Sequence, residues 1–315
     1  MREINFGSIF AASGALNFFG DGWRFHTILK TLFSLDFSSV TFVSKTTTLN
    51  YRKGNMELDA NFQPKSLCPD CIRVYPLKGV VLNSVGLSGP GAEQLFSQGL
   101  WQKRTDPFLI SFMSVSETKE ERVEEAKRFA KILTREIPGF RSKIGLELNI
   151  SCPNTQHETS VLIDDAIDQL QEFANLDIPV VLKINALTPV DAVTRIADSG
   201  LCDAITVSNT IPWGQLPEKI DWQGIFGKLE SPLKHLGGGG LSGYPLLSVV
   251  ADWISEAKKS GITIPIIGGG GILKEADVDF LYQHGADAIA LGSVIILRPW
   301  RVKGIIKRAK QIYDK

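Results

Sequence analysis

Four cysteines in 315 residues (Cys68, Cys71, Cys152, Cys202) are too few for a disulfide framework. Thiols used so sparingly fit a reducing compartment. Long apolar runs are also missing: the longest are strand-sized and broken by Gly, Asn or Ser, short of the roughly 18 residues that read as a spanning helix. The amino terminus opens with Arg2 and Glu3 and continues in a run interrupted by small residues, unlike a secretory signal with its basic start and unbroken apolar region. No charge of one sign dominates, since Lys+Arg 34 against Asp+Glu 34 leaves a net charge of zero. Without a global positive field, nucleic acid and anionic membrane are poor partners. These absences predict a cytoplasmic protein with no nucleic-acid or membrane partner. Pro- or Ser-rich linkers are absent as well, so the chain reads as one domain over 1–315.

What is present is alternation. Eight short β-branched runs stand out, all but 107–112 ending in Gly, Asn, Ser, Thr or Lys: 38–45, 79–86, 107–112, 144–151, 178–185, 203–210, 264–271 and 288–293. They are nearly continuous in apolar residues, as strands buried on both faces of a parallel sheet are. Stretches of helical period lie between them. The clearest is 118–137, in which Val123, Ala126, Phe129, Ala130 and Leu133 recur at three- and four-residue steps. Others occupy 161–175, 189–200, 244–261 and 273–285. An α/β chain of this kind predicts a single-domain (β/α)8 TIM barrel, here with insertions after strands 1 and 6, at 50–78 and 211–243. An open doubly wound sheet is the other arrangement the pattern allows.

In such a barrel the chemistry lies at the carboxyl ends of the strands, because that rim carries the βα loops. Those ends hold Lys45, Asn83, Asn149 followed by Cys152 and Asn154, Lys183, and Ser208, Asn209 and Thr210. Glu147 precedes Asn149 by two residues and so shares its face. The last two runs end in Gly268 to Gly271 and in Gly292 with Ser293. Glycine lets backbone N–H groups approach a phosphate, and the loops after strands seven and eight are where this fold commonly holds one.

These residues resemble a known family. ELNISCPN (147–154), KTTTL (45–49), LNSVGL (82–87), VSNT (207–210), GGLSG (239–243), IIGGGGI (266–272) and ALGS (290–293) stand in the order and spacing of the dihydroorotate dehydrogenases. SFMS (111–114) departs from the family's usual third-strand ending. The resemblance implies a flavin oxidoreductase of pyrimidine biosynthesis with FMN across the carboxyl-end rim. Carried over by position, FMN would meet Ala12, Ser13, Gly14, Lys45, Thr46, Asn149, Lys183, Ser208, Gly243, Gly270, Gly271, Gly292 and Ser293. Dihydroorotate or orotate would be held by Lys45, Asn83, the backbone of Val85, Gly86 and Leu87, Asn149, Asn154, Asn209 and Thr210. The substrate is a flat ring with amide edges and a carboxylate, for which asparagine amides and a lysine are suited.

The resemblance makes Cys152 the general base that takes the proton from carbon 5, with Lys45 beside it, and a cysteine there marks the soluble class 1. Within that class one branch is a homodimer that uses fumarate, and the other pairs with an iron–sulfur flavoprotein subunit and uses NAD. The absence of iron–sulfur ligands beyond Cys68 and Cys71 favours fumarate slightly, and with it the homodimer. Two other functions share parts of the pattern: a dihydropyrimidine dehydrogenase-like flavin oxidoreductase, and a phosphate-binding barrel isomerase, which would need Glu147 as its base. Cys68 and Cys71 form a C-x-x-C without a second pair, so they read as loop residues and no metal is expected. His157 reads as a solvated loop residue and Cys202 as core.

Overall fold

The computed structural model describes residues 1–33, 35–150 and 159–314. Seven strands form one parallel sheet. In spatial order they are Ile9–Ala11, Ala288–Leu291, Ile266–Gly269, Ala204–Val207, Val180–Ile184, Ile144–Asn149 and Phe108–Phe112. The two edge strands are joined through the segment around 41–47. Phe10 pairs with Thr41, Val43 with Leu109 and Thr47 with Phe112, all in parallel. These bridges close the sheet into an eight-staved α/β barrel.

That eighth stave is the expected run 38–45, but it makes single bridges and no continuous ladder. The N–H of Lys45 turns away to Asn17 O at 2.9 Å, which interrupts the pairing just where the stave reaches the rim. A second expectation is corrected. The run 79–86 is not a barrel strand; Val80–Asn83 lies in a separate antiparallel sheet of four strands, in the order Ile72–Tyr75, Val80–Asn83, Gly240–Gly243, Ile211–Pro212. Its place in the barrel is taken by Ile9–Ala11, too short to stand out in the sequence. Both insertions, 50–78 and 211–243, therefore feed one sheet beside the barrel mouth.

The helices follow the apolar periodicity. Lys119–Glu136 begins at a capping box: Thr118 Oγ1 accepts from the N–H of Glu121 at 3.2 Å, and the Glu121 carboxylate accepts from the N–H of Thr118 at 3.3 Å. It lays Ala126, Phe129 and Leu133 on the barrel, with the Phe129 ring stacked on that of Phe112 at 4.0 Å. Val190–Asp198, Leu246–Lys259 and Glu275–Gln283 fall within the stretches expected of them, and Thr159–Gln171 overlaps its own. Val302–Tyr313 is an additional closing helix. Among the described residues no helix is long and apolar enough to cross a membrane.

Candidate active site

Inside the barrel the strands alternate, and the alternation builds the site. One layer of inward residues is apolar, formed by Phe10, Val43, Leu109, Val181, Ala204, Ile267 and Ala290. Two residues further along each stave, nearer the rim, stand Ala12, Lys45, Ser111, Lys183, Thr206, Gly269 and Gly292. The period of two thus seats the rim residues on an apolar plug. Gly145 belongs to the plug, since a Cβ there would come 2.7 Å from Leu109 Cδ2. Its stave then presents Glu147 and Asn149.

These side chains make a closed polar ring. Lys183 Nζ donates to Ser13 Oγ at 2.7 Å, and Ser13 Oγ is 3.2 Å from Thr46 Oγ1. Thr46 Oγ1 is 3.0 Å from Ser111 Oγ, which donates to Glu147 Oε1 at 2.8 Å. Glu147 Oε1 lies 3.7 Å from Lys183 Nζ. Asn149 Nδ2 donates to Thr46 Oγ1 at 3.3 Å, and Asn149 Oδ1 accepts from Asn209 Nδ2 at 2.8 Å. Ser208 sits beside it, its N–H donating to Gly269 O at 2.6 Å and its Oγ accepting from Ala186 N at 3.3 Å.

Lys45 stands apart from this ring. Its side chain is buried, donates to Ser88 O and lies 4.6 Å from the centroid of Phe18. Burial outweighs the weak opposing pull of Cys71 and pushes Lys45 down to about 7. It forms no ion pair among the described residues. A buried amine of this kind is prepared for an anion.

The antiparallel sheet supplies a facing wall. Gly240 pairs with Asn83 on one side and Pro212 on the other. A Cβ at Gly240 would collide with Thr210 Oγ1, so Thr210 and Asn83 flank the same glycine. Asn185 Nδ2 donates to Thr210 O at 2.7 Å. Along the adjoining loop the carbonyls of Val85 and Gly86 accept from Asn55 N at 2.8 Å and Arg52 Nε at 3.0 Å. The N–H groups of Val85, Gly86 and Leu87 donate to no described residue.

The glycine loops meet the requirement for a bound phosphate. The N–H groups of Gly271, Ile272, Gly292 and Ser293 have no acceptor among the described residues, although all four residues are buried or half-buried. Buried donors of this kind require a partner. The two loops follow neighbouring strands, and a Cβ at Gly292 would lie 3.3 Å from that of Ala12. FMN, with a phosphate at one end and a polar ring system at the other, fits this combination of orphaned amides and side-chain donors. Two glycines also have a packing reason. A Cβ at Gly271 would approach Leu247 N at 2.6 Å, and one at Gly243 would strike Gly79 O.

The structure therefore gathers Ser13, Thr46, Asn149, Lys183, Ser208 and Asn209 at one rim. Ala12, Gly14 and Lys45 are alongside, since a Cβ at Gly14 would lie 3.9 Å from Lys45 Cγ. Cys152, Asn154 and His157 lie outside the described residues. Cys68 is exposed while Cys71 and Cys202 are buried, and the described residues hold no group of three or more His, Cys, Asp or Glu able to bind a metal. Ser111 and Phe18 were not legible as site residues: one has its sign only in the period-two register, and the other reads as core.

A family model described as dihydroorotate dehydrogenase matches residues 7–312. The chain belongs to the dihydroorotate dehydrogenase family. The enzymes of this family are FMN-dependent oxidoreductases, and the similarity here is to class 1. The chain is 30% identical over 254 residues to the protein of Anoxybacillus flavithermus named dihydroorotate dehydrogenase B (NAD(+)), catalytic subunit. That match covers 77% of this chain and 74% of the relative. A Geobacillus sp. protein of the same name is 29% identical over 250 residues, with the same coverage of 77% and 74%. Among solved structures, the dihydroorotate dehydrogenase of Eimeria tenella, in complex with ferulenol, superposes with a TM-score of 0.58 at 18% identity. It covers 86% of this chain and 73% of that one, and it supports the barrel fold alone.

Proposed function

We propose that this chain, as one FMN-binding barrel over 1–315, oxidises dihydroorotate to orotate. The observation that carries the reading is the pairing of two features on one rim: four orphaned amides after the last two strands, and a ring of Ser, Thr, Asn and Lys side chains. The amides of Gly271, Ile272, Gly292 and Ser293 hold the phosphate, with Gly270 beside them and Gly243 behind them. Ala12, Ser13, Gly14, Thr46, Lys183 and Ser208 line the flavin side. FMN, when bound, supplies the acceptor for the hydride leaving carbon 6.

The chain's own residues do the rest. Lys45 meets the substrate carboxylate and regains its charge in doing so. Asn83, Asn149, Asn154, Asn209 and Thr210, with the amides of Val85, Gly86 and Leu87, read the donor and acceptor edges of the ring and hold it flat. Cys152 takes the proton from carbon 5 as general base. Glu147, the carboxylate that an isomerase would need as its base, is bound to Ser111 and facing Lys183, which favours the oxidoreductase.

The names of the Anoxybacillus and Geobacillus relatives support NAD+ as the final acceptor, reached through a separate subunit, over the fumarate that the lack of iron–sulfur ligands favours. The test is spectroscopic. Purified protein shows flavin absorption that bleaches on anaerobic addition of dihydroorotate. A colourless protein, or a flavin that dihydroorotate does not reduce, overturns the reading.

A further inference from the structure

The polar ring has a direction. Lys183 carries only donors, and the Glu147 carboxylate only accepts. Ser111 donates to Glu147 at 2.8 Å, so its one hydrogen is committed, and its contact with Thr46 at 3.0 Å must be one it accepts. Thr46 therefore donates to Ser111, and it accepts from Ser13 at 3.2 Å. Ser13 in turn accepts from Lys183 at 2.7 Å. A single run of donors leads from the ammonium of Lys183, through three hydroxyls, to the carboxylate.

The same reasoning orients Asn149. Because the Thr46 hydroxyl hydrogen goes to Ser111, Thr46 can only accept from the amide, so Asn149 presents Nδ2 to it at 3.3 Å. Its Oδ1 is then the atom that accepts from Asn209 at 2.8 Å. The ring closes with Lys183 Nζ 3.7 Å from Glu147 Oε1, and Lys183, Glu147 and Ser111 are 5%, 2% and 0% exposed. Removing one partner of a buried pair leaves the other charge uncompensated. Glu147 is thus the terminus on which five side chains depend, although it lies beneath the rim.

We propose that Glu147 is a positioning residue: through the hydroxyl chain and the ion pair it holds the Lys183 ammonium in place under the flavin, and it sets which atoms of Asn149 face outward. The inference rests on the placement of FMN above Lys183. Ser111 is the link that makes the orientation unidirectional.

The test compares Glu147→Gln, Lys183→Met and the double variant. The FMN dissociation constant is measured by fluorescence on apoprotein, and the midpoint potential of the bound flavin by dye equilibration, with thermal midpoints recorded alongside. Glutamine keeps an acceptor for Ser111 but removes the negative charge and turns an amide N–H toward Lys183. The expected result is at least tenfold weaker FMN binding. The unbalanced cation also shifts the oxidised–reduced equilibrium tenfold toward reduced flavin, about 30 mV for a two-electron couple. In the Lys183→Met background, Glu147→Gln is expected to change the dissociation constant less than twofold and leave the potential where it was.

Equal effects of Glu147→Gln in both backgrounds, or none in either, overturn the proposal. Unchanged FMN affinity in Lys183→Met alone removes the flavin from Lys183, and the inference falls with that placement. If a charge-removing variant does not fold, Ser111→Ala carries the test, since it breaks the chain and leaves both charges. A three- to tenfold rise in the FMN dissociation constant supports the proposal, and no change overturns it.

Discussion

Asn209 gives its side-chain amide to Asn149 Oδ1 at 2.8 Å, tying the loop after one barrel strand to the end of another two strands away. The contact aligns two amides proposed to read the substrate. Asn209→Ala removes this hydrogen bond, a loss of about 0.5–1.5 kcal/mol. Steady-state kinetics should show the KM for dihydroorotate rising roughly 2- to 12-fold at that energy, with FMN content unchanged. A normal KM would take Asn209 out of the substrate site.

Lys45 makes substrate binding depend on pH. Its folded pKa of about 7 lies below the unfolded value of about 10.4. Between these the unfolded chain holds a proton that the folded one does not, so stability rises with pH across roughly 7 to 10 and is lower by a few kcal/mol below it. Chemical denaturation of Lys45→Met should lack this rise. Orotate, an anion, binds the charged form, so its dissociation constant should weaken up to about tenfold per pH unit above about 7 and be flat in Lys45→Met.

Gly271 tests packing against ligand binding. At φ +79 with Leu247 N 2.6 Å from the position of a Cβ, Gly271→Ala combines backbone strain with overpacking, about 2–5 kcal/mol in total. Gly227, at φ +67 with nothing within 4 Å, is the control, since Gly227→Ala carries the backbone strain alone. Thermal unfolding of the FMN-free proteins should separate the two variants. Equal shifts would mean that Leu247 yields.

Cys152→Ala should keep its FMN and lose about 10²–10⁴-fold in dihydroorotate oxidation, the usual contribution of a positioned base. Flavin reduction followed by stopped flow reads this step without any acceptor. Full activity would assign the proton to another group.

The acceptor is assayed on protein reduced by dihydroorotate without oxygen. NAD+ should not reoxidise the chain alone at a useful rate but should do so with the partner subunit present. Reoxidation by fumarate alone would place the chain in the homodimeric branch, and turnover by a short-chain quinone would overturn the class assignment.

The barrel was legible because buried parallel strands are written as continuous apolar runs, and the rim residues because most runs end in polar residues or glycine. The run at 79–86 misled for the same reason: Val80, Val81 and Leu82 are buried in a small antiparallel sheet, and burial on both faces looks alike in either setting. The strand Ile9–Ala11 is three residues long and has no periodicity to display. Glu147 could be placed on the inward face by alternation. Alternation also turns Ser111 inward, but its link to Glu147 could not be found that way, because the chain Lys183, Ser13, Thr46, Ser111, Glu147 joins five staves that only the closed barrel brings together.

The antiparallel sheet beside the barrel mouth sets an order of assembly. Val80–Asn83 can pair early with Ile72–Tyr75, its neighbour in sequence, but its other edge waits for Gly240–Gly243, which the ribosome delivers some 160 residues later. Contacts so distant in sequence carry the larger loop-closure cost and form late. Until they do, Asn83 has no Gly240 beside it and Thr210 no wall to stand against. The wall proposed to face the substrate is therefore expected to be among the last parts of the molecule to acquire its shape.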